Sequence, residues 1–239
     1  MKAAIMQPYF MPYIGYFQLM NSVDVFVVYD TIEYTKKGWI NRNRILLNNQ
    51  EDYITIPLKK DSDYLHISER KLSDSWPQDR AKMLNRIQQA YRKAVGFKET
   101  FPLVESCIKH DSMNLFAFIL NSIHLIKNHL GIPTRLIESS AIHADHTLKS
   151  ESRVISICQA LHATEYINPI GGLELYSETT FADAGLSLKF LKARNIPYDQ
   201  GNSAFIPFLS VIDVLMYCGK ERTMNMLHEY DFIQQDKKA

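Results

Sequence analysis

A short segment between residues 36 and 43 combines side chains that could bind a phosphate and a sugar. Lys36 could neutralise a phosphate as a point charge, and Arg42 could bind phosphate or carboxylate through two parallel hydrogen bonds. Asn41 and Asn43 offer both donors and acceptors, which suit a hydroxyl-rich ligand, and Asn is depleted in ordinary strands. We therefore expect this segment to bind a phosphate-bearing, sugar-like ligand. A polar turn that enters a strand is the alternative.

Aromatic side chains around the same segment could form the walls of such a site. They are Tyr13, Tyr16, Tyr34 and Trp39. Aromatic rings can stack on a sugar or on a base. For Trp39, a role as core filler agrees equally well with the sequence.

Polar residues also follow three predicted strands. Gln7 follows the first strand, Asp30 ends the second, and Ser139 and Ser140 end a later one. Because ligands of α/β proteins usually bind at the carboxyl ends of parallel strands, we expect Gln7, Asp30 and Ser139 to line one cleft. Asp30 is our candidate for a catalytic base or an amine anchor, although an Asp at a strand end is commonly a structural turn residue.

The loop "NPIGGLELY" is a second candidate binding element. Gly171 and Gly172 would let backbone N–H groups approach an anion or an acyl oxygen closely, with Asn168 and Tyr176 on either side. It is not a dinucleotide fingerprint, since no G-x-G-x-x-G follows a strand. A plain turn is the alternative.

The histidine and cysteine pattern gives little support for a metal site. Cys158 and His162 are four residues apart, but no Cys-x-x-Cys accompanies them. We expect both to be structural. The three cysteines are too few for a disulfide framework, which indicates a reducing compartment.

Hydrophobic patterns predict the elements that must position these residues. Residues 3–7 and 23–30 have the apolar, β-branched composition of buried strands, and residues 13–22 have the pattern of a short helix. This order predicts a βαβ unit with a right-handed crossover. Two further strands are predicted to meet in a turn near Asn48–Asn49.

Longer helical patterns follow in the middle of the chain. Apolar residues recur at helical spacing over 76–94 and again over 113–131. We expect these helices to form an insertion or cap at approximately 76–130. The later part of the chain alternates strands with helices, and two helices are predicted over 210–219 and 220–230.

This alternation predicts an α/β fold in which a Rossmann-like, mostly parallel sheet is flanked by helices. We expect one domain over residues 1–239. The formal net charge of +1 gives no indication of a nucleic-acid or membrane surface. The N-terminal segment lacks the cleavage pattern of a signal peptide, and no window approaches 18 uninterrupted apolar residues, so a cytoplasmic protein without a membrane span is expected.

Several segments together resemble the WbqC-like protein family. They are "QPYFMPYIGYF", "DVFVVYD", "EYTKKGWINRNRI", "ITIP", "LIESSAI", "INPIGGLELY", "FADAGLSLKF" and "FIPFLSVIDVLMYCG". The resemblance covers roughly residues 3–220. This chain has Glu33 where the family commonly has Gln.

The resemblance implies a function in the synthesis of bacterial surface glycans such as O-antigen. It implies a cytoplasmic enzyme that transfers an N-acyl or aminoacyl group to a nucleotide-linked amino sugar, with an acyl or aminoacyl carrier protein as a further partner. A homodimer is also compatible, and no cofactor is identified. Within this function we expect Asp30 and Lys36 to be catalytic. The residues carried over from the family are Gln7, Pro8, Tyr13, Gly15, Tyr16, Asp30, Tyr34, Lys36, Trp39, Asn41, Arg42, Asn43, Ser139, Ser140, Gly171, Gly172, Tyr176, Gln200, Phe205, Ser210 and Asp213.

Two other functions remain open. The order of strand, "PYIGY", helix, strand and Asp resembles the start of the nucleotidyltransferase fold, but Tyr13 and Tyr16 stand where that fold has histidines. Tyrosine cannot supply a cationic imidazole to a phosphate. A nucleotidyltransferase-like or ATP-dependent enzyme acting on a small carboxylate or sugar is one alternative, and a non-enzymatic scaffold of a glycan assembly complex is the other.

Overall fold

The computed structural model describes residues 1–62, 64–201 and 204–234. The strands are β1 (Lys2–Met6), β2 (Val25–Val28), β3 (Arg42–Leu47), β4 (Gln50–Thr55), β5 (Arg135–Glu138), β6 (Glu165–Pro169), β7 (Ser187–Ala193) and β8 (Tyr230–Ile233). The α-helices are α1 (Ile14–Asn21), α2 (Trp76–Tyr91), α3 (Phe97–Ile108), α4 (Leu115–His129), α5 (Ser150–Ala160), α6 (Glu178–Asp183) and α7 (Val211–Met226).

In the described residues, a six-stranded sheet has the order β5-β2-β1-β6-β7-β8. The first five strands in this order are parallel, and β8 runs antiparallel to β7 at the edge. The chain passes from β1 to β2 and β5 on one side, and later returns to β6 and β7 on the other side of β1. The predicted α/β fold with a Rossmann-like, mostly parallel sheet is confirmed.

Both faces of the sheet are covered by helices because successive strand residues point to opposite sides. Phe26 and Val28 of β2 pack in the same cluster as Phe17 of α1. Val25 and Ile157, from β2 and α5, belong to the cluster on the other face. Burial on both faces explains why β2 is continuously apolar rather than alternating.

The predicted hairpin is present as a separate two-stranded sheet of β3 and β4. Asn48 and Asn49 form its turn with φ angles of 52° and 62°. Asn tolerates this left-handed conformation better than most residues, and two positive φ angles match the right-handed twist of a hairpin.

The segment between β2 and β5 contains this hairpin and the three helices α2, α3 and α4. From the sequence we predict α2 and α4 but not α3, a helix that contains Pro102, although proline ordinarily interrupts a helix. The two helices predicted over 210–219 and 220–230 are present, because non-helical backbone at Gly219 (φ 73°) divides α7 into two helical parts. The second part ends at Met226 rather than near residue 230, and Tyr230–Ile233 form the edge strand β8.

A buried carboxylate joins the hairpin to α2 and α7. Asp213 accepts hydrogen bonds from Tyr91 Oη–H (2.7 Å), Tyr198 Oη–H (2.6 Å) and Gln200 Nε2 (2.9 Å). Tyr91 Oη also accepts the backbone N–H of Leu46 in β3 at 3.0 Å. Burial raises the pKa of Asp213, although the three donors oppose this shift.

Tyr91→Phe should destabilise the protein by about 2–3 kcal/mol, because it leaves the Leu46 N–H and one Asp213 oxygen buried without this partner. Chemical denaturation measures the difference in free energy of unfolding. Tyr217→Phe is the matched control: its ring packs 5.7 Å from that of Tyr91, and it should cost no more than about 0.5 kcal/mol. Equal losses in the two variants would show that the hydroxyl of Tyr91 has no special role.

Candidate functional site

A cavity of about 1030 Å³ opens at the carboxyl ends of the parallel strands. Its lining includes Gln7 after β1, Thr31 after β2, Ser140 after β5 and Asn168 near the end of β6. The chain connections leave β1 and β6 in opposite directions, so the cavity lies at the point where the strand order reverses. Open α/β sheets characteristically bind ligands at such a point.

One side of the cavity is cationic. Lys149, Ser150 and Arg153 line it from the first turns of α5. The first N–H groups of a helix have no partner within the helix and carry the positive end of its dipole, which favours an anion there. The Arg153 guanidinium lies over the ring of Tyr29, 5.2 Å from its centroid. This side therefore suits a phosphate or a carboxylate.

The Arg153 side chain is held in place by its neighbours. Its Nη2 donates to Thr31 Oγ1 and lies 3.3 Å from His146 Nδ1, while His146 Nε2 lies 2.9 Å from the Ile142 carbonyl oxygen. A carbonyl can only accept a hydrogen bond, so Nε2 carries the ring hydrogen and Nδ1 accepts from Arg153. The imidazole thus orients the guanidinium. Sequence reasoning missed Arg153 and His146, whose only signal was that they lie in helix α5 and in the loop between β5 and α5.

A second side of the cavity is formed where β6 enters the glycine turn. A Cβ atom on Gly172 would lie 1.8 Å from Asn168 Nδ2, whereas one on Gly171 would meet no atom within 4 Å. Asn168 Oδ1 in turn accepts from Tyr166 Oη–H at 3.0 Å. Gly172 therefore makes room for an oriented amide, and Gly171 leaves its backbone open towards the cavity. Tyr176 lines the cavity beside them.

Asp30 connects the ends of β2 and β5. Its Oδ1 accepts from Ser139 Oγ–H at 2.6 Å and from the backbone N–H of Ser140 at 2.9 Å. Burial by itself raises the pKa of Asp30, but the hydrogen bonds from Ser139 and Ser140 outweigh it and hold that pKa below its ordinary value. Asp30 as a whole residue is only 4% exposed, and it adjoins Thr31 and Ser140 of the cavity lining.

The structure thus divides the predicted site residues into two groups. The cavity lining contains Gln7, Ser140, Asn168, Gly171, Gly172 and Tyr176. The other predicted residues lie outside it: Tyr13, Tyr16, Asp30, Tyr34, Lys36, Trp39, Asn41, Arg42, Asn43 and Ser139.

The two asparagines of the first candidate segment bind backbone carbonyl groups. Asn43 Nδ2 donates to the carbonyls of Phe10 (3.0 Å) and Met11 (2.9 Å). Asn41 Nδ2 donates to Ile56 O at 2.9 Å, and its Oδ1 accepts from Tyr34 Oη–H. Both amides are thereby used to hold loops that surround the hairpin.

Arg42 and the nearby tyrosines also have partners within the protein. Arg42 Nε donates to Gly38 O at 3.1 Å and Nη2 donates to Lys37 O at 2.7 Å. Tyr16 is buried, and its hydroxyl donates to the carbonyl of Gln7 at 3.2 Å. Tyr13 packs edge-on against another ring, that of Phe208. A direct ligand contact by these side chains stays a prediction.

Within the described residues, no cluster of three or more His, Cys, Asp or Glu side chains is arranged to hold a metal ion. Cys158 belongs to the core cluster between the sheet and α5, and burial raises the pKa of its thiol to about 12. Metals bind the thiolate form, which this environment disfavours. That Cys158 and His162 bind no zinc stays a prediction.

The lowered pKa of Asp30 has a consequence for stability. Asp30 makes its full contribution to the free energy of unfolding when the pH is above its unfolded-state pKa of about 3.8. This contribution is lost as the pH falls through the lower pKa of the folded state. The free energy of unfolding of the wild type should therefore decrease between about pH 5 and about pH 3, and Asp30→Asn should reduce this decrease. Ser139→Ala, which removes one of the donors, should have the same effect in weaker form. A pH dependence that is identical in all three proteins would contradict this account.

Comparison with known proteins agrees with the sequence resemblance. The WbqC-like protein family matches residues 7–225, a range that includes the hairpin and most of the cavity lining. The chain is also similar to the uncharacterized protein Rv1507c of Mycobacterium tuberculosis, with 29% identity over 225 residues, which cover 92% of this chain and 95% of that protein. No solved structure matches the chain. In the described residues, no helix has the length and apolar character needed to cross a membrane. Because the family match extends over most of the sequence, this chain belongs to the WbqC-like protein family.

Proposed function

We propose that the protein is an enzyme of bacterial surface-polysaccharide synthesis that transfers an acyl or aminoacyl group to the amine of a nucleotide-linked sugar. The observation that carries this proposal is a large cavity at the reversal of strand order with Lys149, Arg153 and the start of α5 on one side. Membership of the WbqC-like family supports the link to glycans.

The cationic side of the cavity is the proposed site of the diphosphate. Arg153 is already oriented by Thr31 and His146, so little side-chain entropy is lost when it pairs with an anion. Lys149 adds a point charge, and the first turn of α5 adds backbone donors. Arg42 is less suitable because it lies outside the cavity lining.

The size and lining of the cavity suit a ligand as large as a nucleotide sugar. Its volume of about 1030 Å³ lies at the upper end of the range for small-molecule sites, which is roughly 300–1,000 Å³. Tyr9, Tyr29 and Tyr176 offer ring surfaces for a base or a sugar, and Gln7 and Asn168 offer amides for hydroxyl groups.

Acyl transfer to an amine needs a proton acceptor and donors for an oxyanion. The amine nitrogen attacks the acyl carbonyl carbon, the bond to the donor's leaving group breaks, and a base removes the proton from nitrogen. Glu33 and His66 line the cavity and are our candidates for this base. The lowered pKa of Asp30 makes its carboxylate a weak base, so we assign it to positioning the segment that leads to Glu33. The open backbone at Gly171 is a candidate for the oxyanion donor.

Nucleotidyl transfer has less support. Tyr16, which stands at a histidine position of that fold, is buried and donates to the Gln7 carbonyl, so it does not point at a phosphate. Pyrophosphate release from a nucleoside triphosphate would nevertheless favour a nucleotidyltransferase-like or ATP-dependent enzyme.

Arg153→Gln should weaken the binding of a nucleotide-linked amino sugar by roughly ten- to a hundredfold, as expected for a lost charge-assisted contact of about 1.5–3 kcal/mol. Isothermal titration with a panel of uridine- and thymidine-diphosphate amino sugars measures the affinity. Arg42→Gln is the matched control and should change the affinity by less than about twofold.

The same panel separates the other hypotheses. If only Arg42→Gln loses affinity for the nucleotide sugar, the diphosphate binds at segment 36–43 and not in the cavity. Binding of a panel member followed by a mass increase of the sugar in the presence of an acyl donor would support acyl transfer. Absence of binding by every member would overturn the nucleotide-sugar proposal and favour a scaffold.

The glycine turn provides a second test of the site. Gly171→Ala should fold as the wild type does, because its new methyl group meets no atom within 4 Å, but it should weaken ligand binding by narrowing the cavity. Gly172→Ala should instead lower the melting temperature, since its methyl group collides with Asn168 Nδ2. Thermal denaturation and titration are measured on both variants. Unchanged affinity in Gly171→Ala would place the ligand away from this turn.

A further inference from the structure

An exposed group of aromatic and arginine side chains lies on and beside the hairpin, outside the cavity lining. Trp39, Tyr53 and Phe208 are 36%, 42% and 57% exposed. Arg42 lies 5.1 Å from the Tyr53 ring centroid, Arg44 lies 5.3 Å from that of Trp39, and Arg44 Nη2 donates to Phe208 O at 3.2 Å. These five residues form one continuous surface, which we call the hairpin face.

Phe208 is unusual because it is both exposed and strained. Its φ angle is 58°, a left-handed conformation that is costly for a bulky residue. Burial of the ring does not offset this cost, since 57% of the residue is exposed. The preceding backbone is fixed at Ile206, whose N–H and carbonyl both bind the Gln200 amide at 2.8 and 3.0 Å. The loop thus presents the ring to solvent.

The composition of the hairpin face is that of a protein-binding surface. Trp, Tyr and Arg are the residue types that contribute most binding energy at protein interfaces. Arg42 and Arg44 are already stacked on aromatic rings, which reduces the entropy lost when a partner binds.

The charge of this segment selects the kind of partner. Four basic residues, Lys36, Lys37, Arg42 and Arg44, occur between Glu33 and Glu51 without an acidic residue among them. Glu51 pairs with Arg44, whereas Arg42 binds backbone carbonyls, which leave its positive charge in place. An acidic surface would complement the face, whereas a second copy in symmetric contact would bring like charges together. A nucleic acid fits less well, because the formal net charge of the whole chain is only +1 and two donor nitrogens of Arg42 bind backbone carbonyls.

We propose that the hairpin face binds an acidic protein. This inference rests on the proposed function: the acidic protein would be the carrier that presents the acyl or aminoacyl group to the cavity. The face adjoins the cavity through one short loop: Phe10 N–H donates to the carbonyls of Trp39 (3.2 Å) and Ile40 (3.1 Å), and the preceding residue, Tyr9, lines the cavity.

The test titrates the full chain with a purified holo acyl carrier protein, a small acidic carrier, and follows binding by biolayer interferometry. Phe208→Gly removes the ring and also relieves the positive φ angle, so this variant should fold at least as well as the wild type. We expect it to weaken carrier binding by about tenfold or more, and Trp39→Ser to do the same. Tyr64→Ser is the matched control, since Tyr64 is 81% exposed but does not belong to the face, and it should have no more than about a twofold effect.

Two further results are expected if the inference is correct. Affinity for the carrier should fall when salt is raised from about 0.05 to about 0.5 M, since charges at the rim are screened. Affinity for the nucleotide sugar should be the same in Phe208→Gly, in Tyr64→Ser and in the wild type.

Several outcomes would overturn the inference. The first is that the carrier does not bind at about 100 µM, and the second is that Phe208→Gly and the wild type bind it equally well. The third is that a single-stranded oligonucleotide, and not the carrier, binds the hairpin face. The fourth is that sedimentation shows a dimer of the wild type that Phe208→Gly dissociates. If the nucleotide sugar binds and the carrier does not, the inference about the face fails while the proposed function stands with a soluble acyl donor. If the carrier binds at the face and no nucleotide sugar binds, the proposed function fails alone.

Discussion

The arrangement of the candidate site depends on the side-chain amide of Asn43. It donates to two consecutive carbonyls in the loop between β1 and α1, those of Phe10 and Met11. Ser210 Oγ–H, at the start of α7, donates to the same Met11 carbonyl at 2.7 Å. Met11 has a φ angle of 43° and is fully buried, and these donors help to hold its strained backbone in place. The hairpin, the first loop and the last helix therefore meet at one carbonyl group, and the same loop supplies Gln7 to the cavity.

This constraint explains what the sequence could and could not predict about the site. The spacing of apolar residues and the composition of a segment are local properties of the sequence. They were sufficient to predict the parallel strands, the hairpin at Asn48–Asn49 and the polar ends of β1, β2 and β5. The direction in which a polar side chain points is not local. Asn43 binds residues more than thirty positions away, and Arg153 binds Thr31 across 122 positions. An amide that binds a backbone carbonyl and one that binds a sugar look the same in the sequence.

The two buried carboxylates show why burial alone does not decide a protonation state. Asp30 receives a hydroxyl and a backbone N–H on one oxygen, and these donors lower its pKa despite burial. Asp213 receives three side-chain donors, yet burial dominates and its pKa is raised. The first carboxylate adds stability above the ordinary Asp value and loses it in acid. The second favours the folded state while protonated, and this contribution is lost as the pH rises through its raised pKa. The two effects therefore oppose each other in the acidic range.

The cavity and the hairpin face are joined by a rigid connection rather than by a hinge. Tyr9 lines the cavity, the next residue is bound to the backbone of Trp39, and the residue after that is fixed by Asn43 and Ser210. With the loop fixed at each of these points, a change at one surface has little freedom to propagate as a movement of the other. In the proposed reaction, this rigidity would keep the two bound reactants in fixed positions. A carrier docked on the hairpin face and a sugar bound at Arg153 would be kept at a constant separation, and a fixed geometry of two reactants lowers the entropic part of the barrier to their reaction.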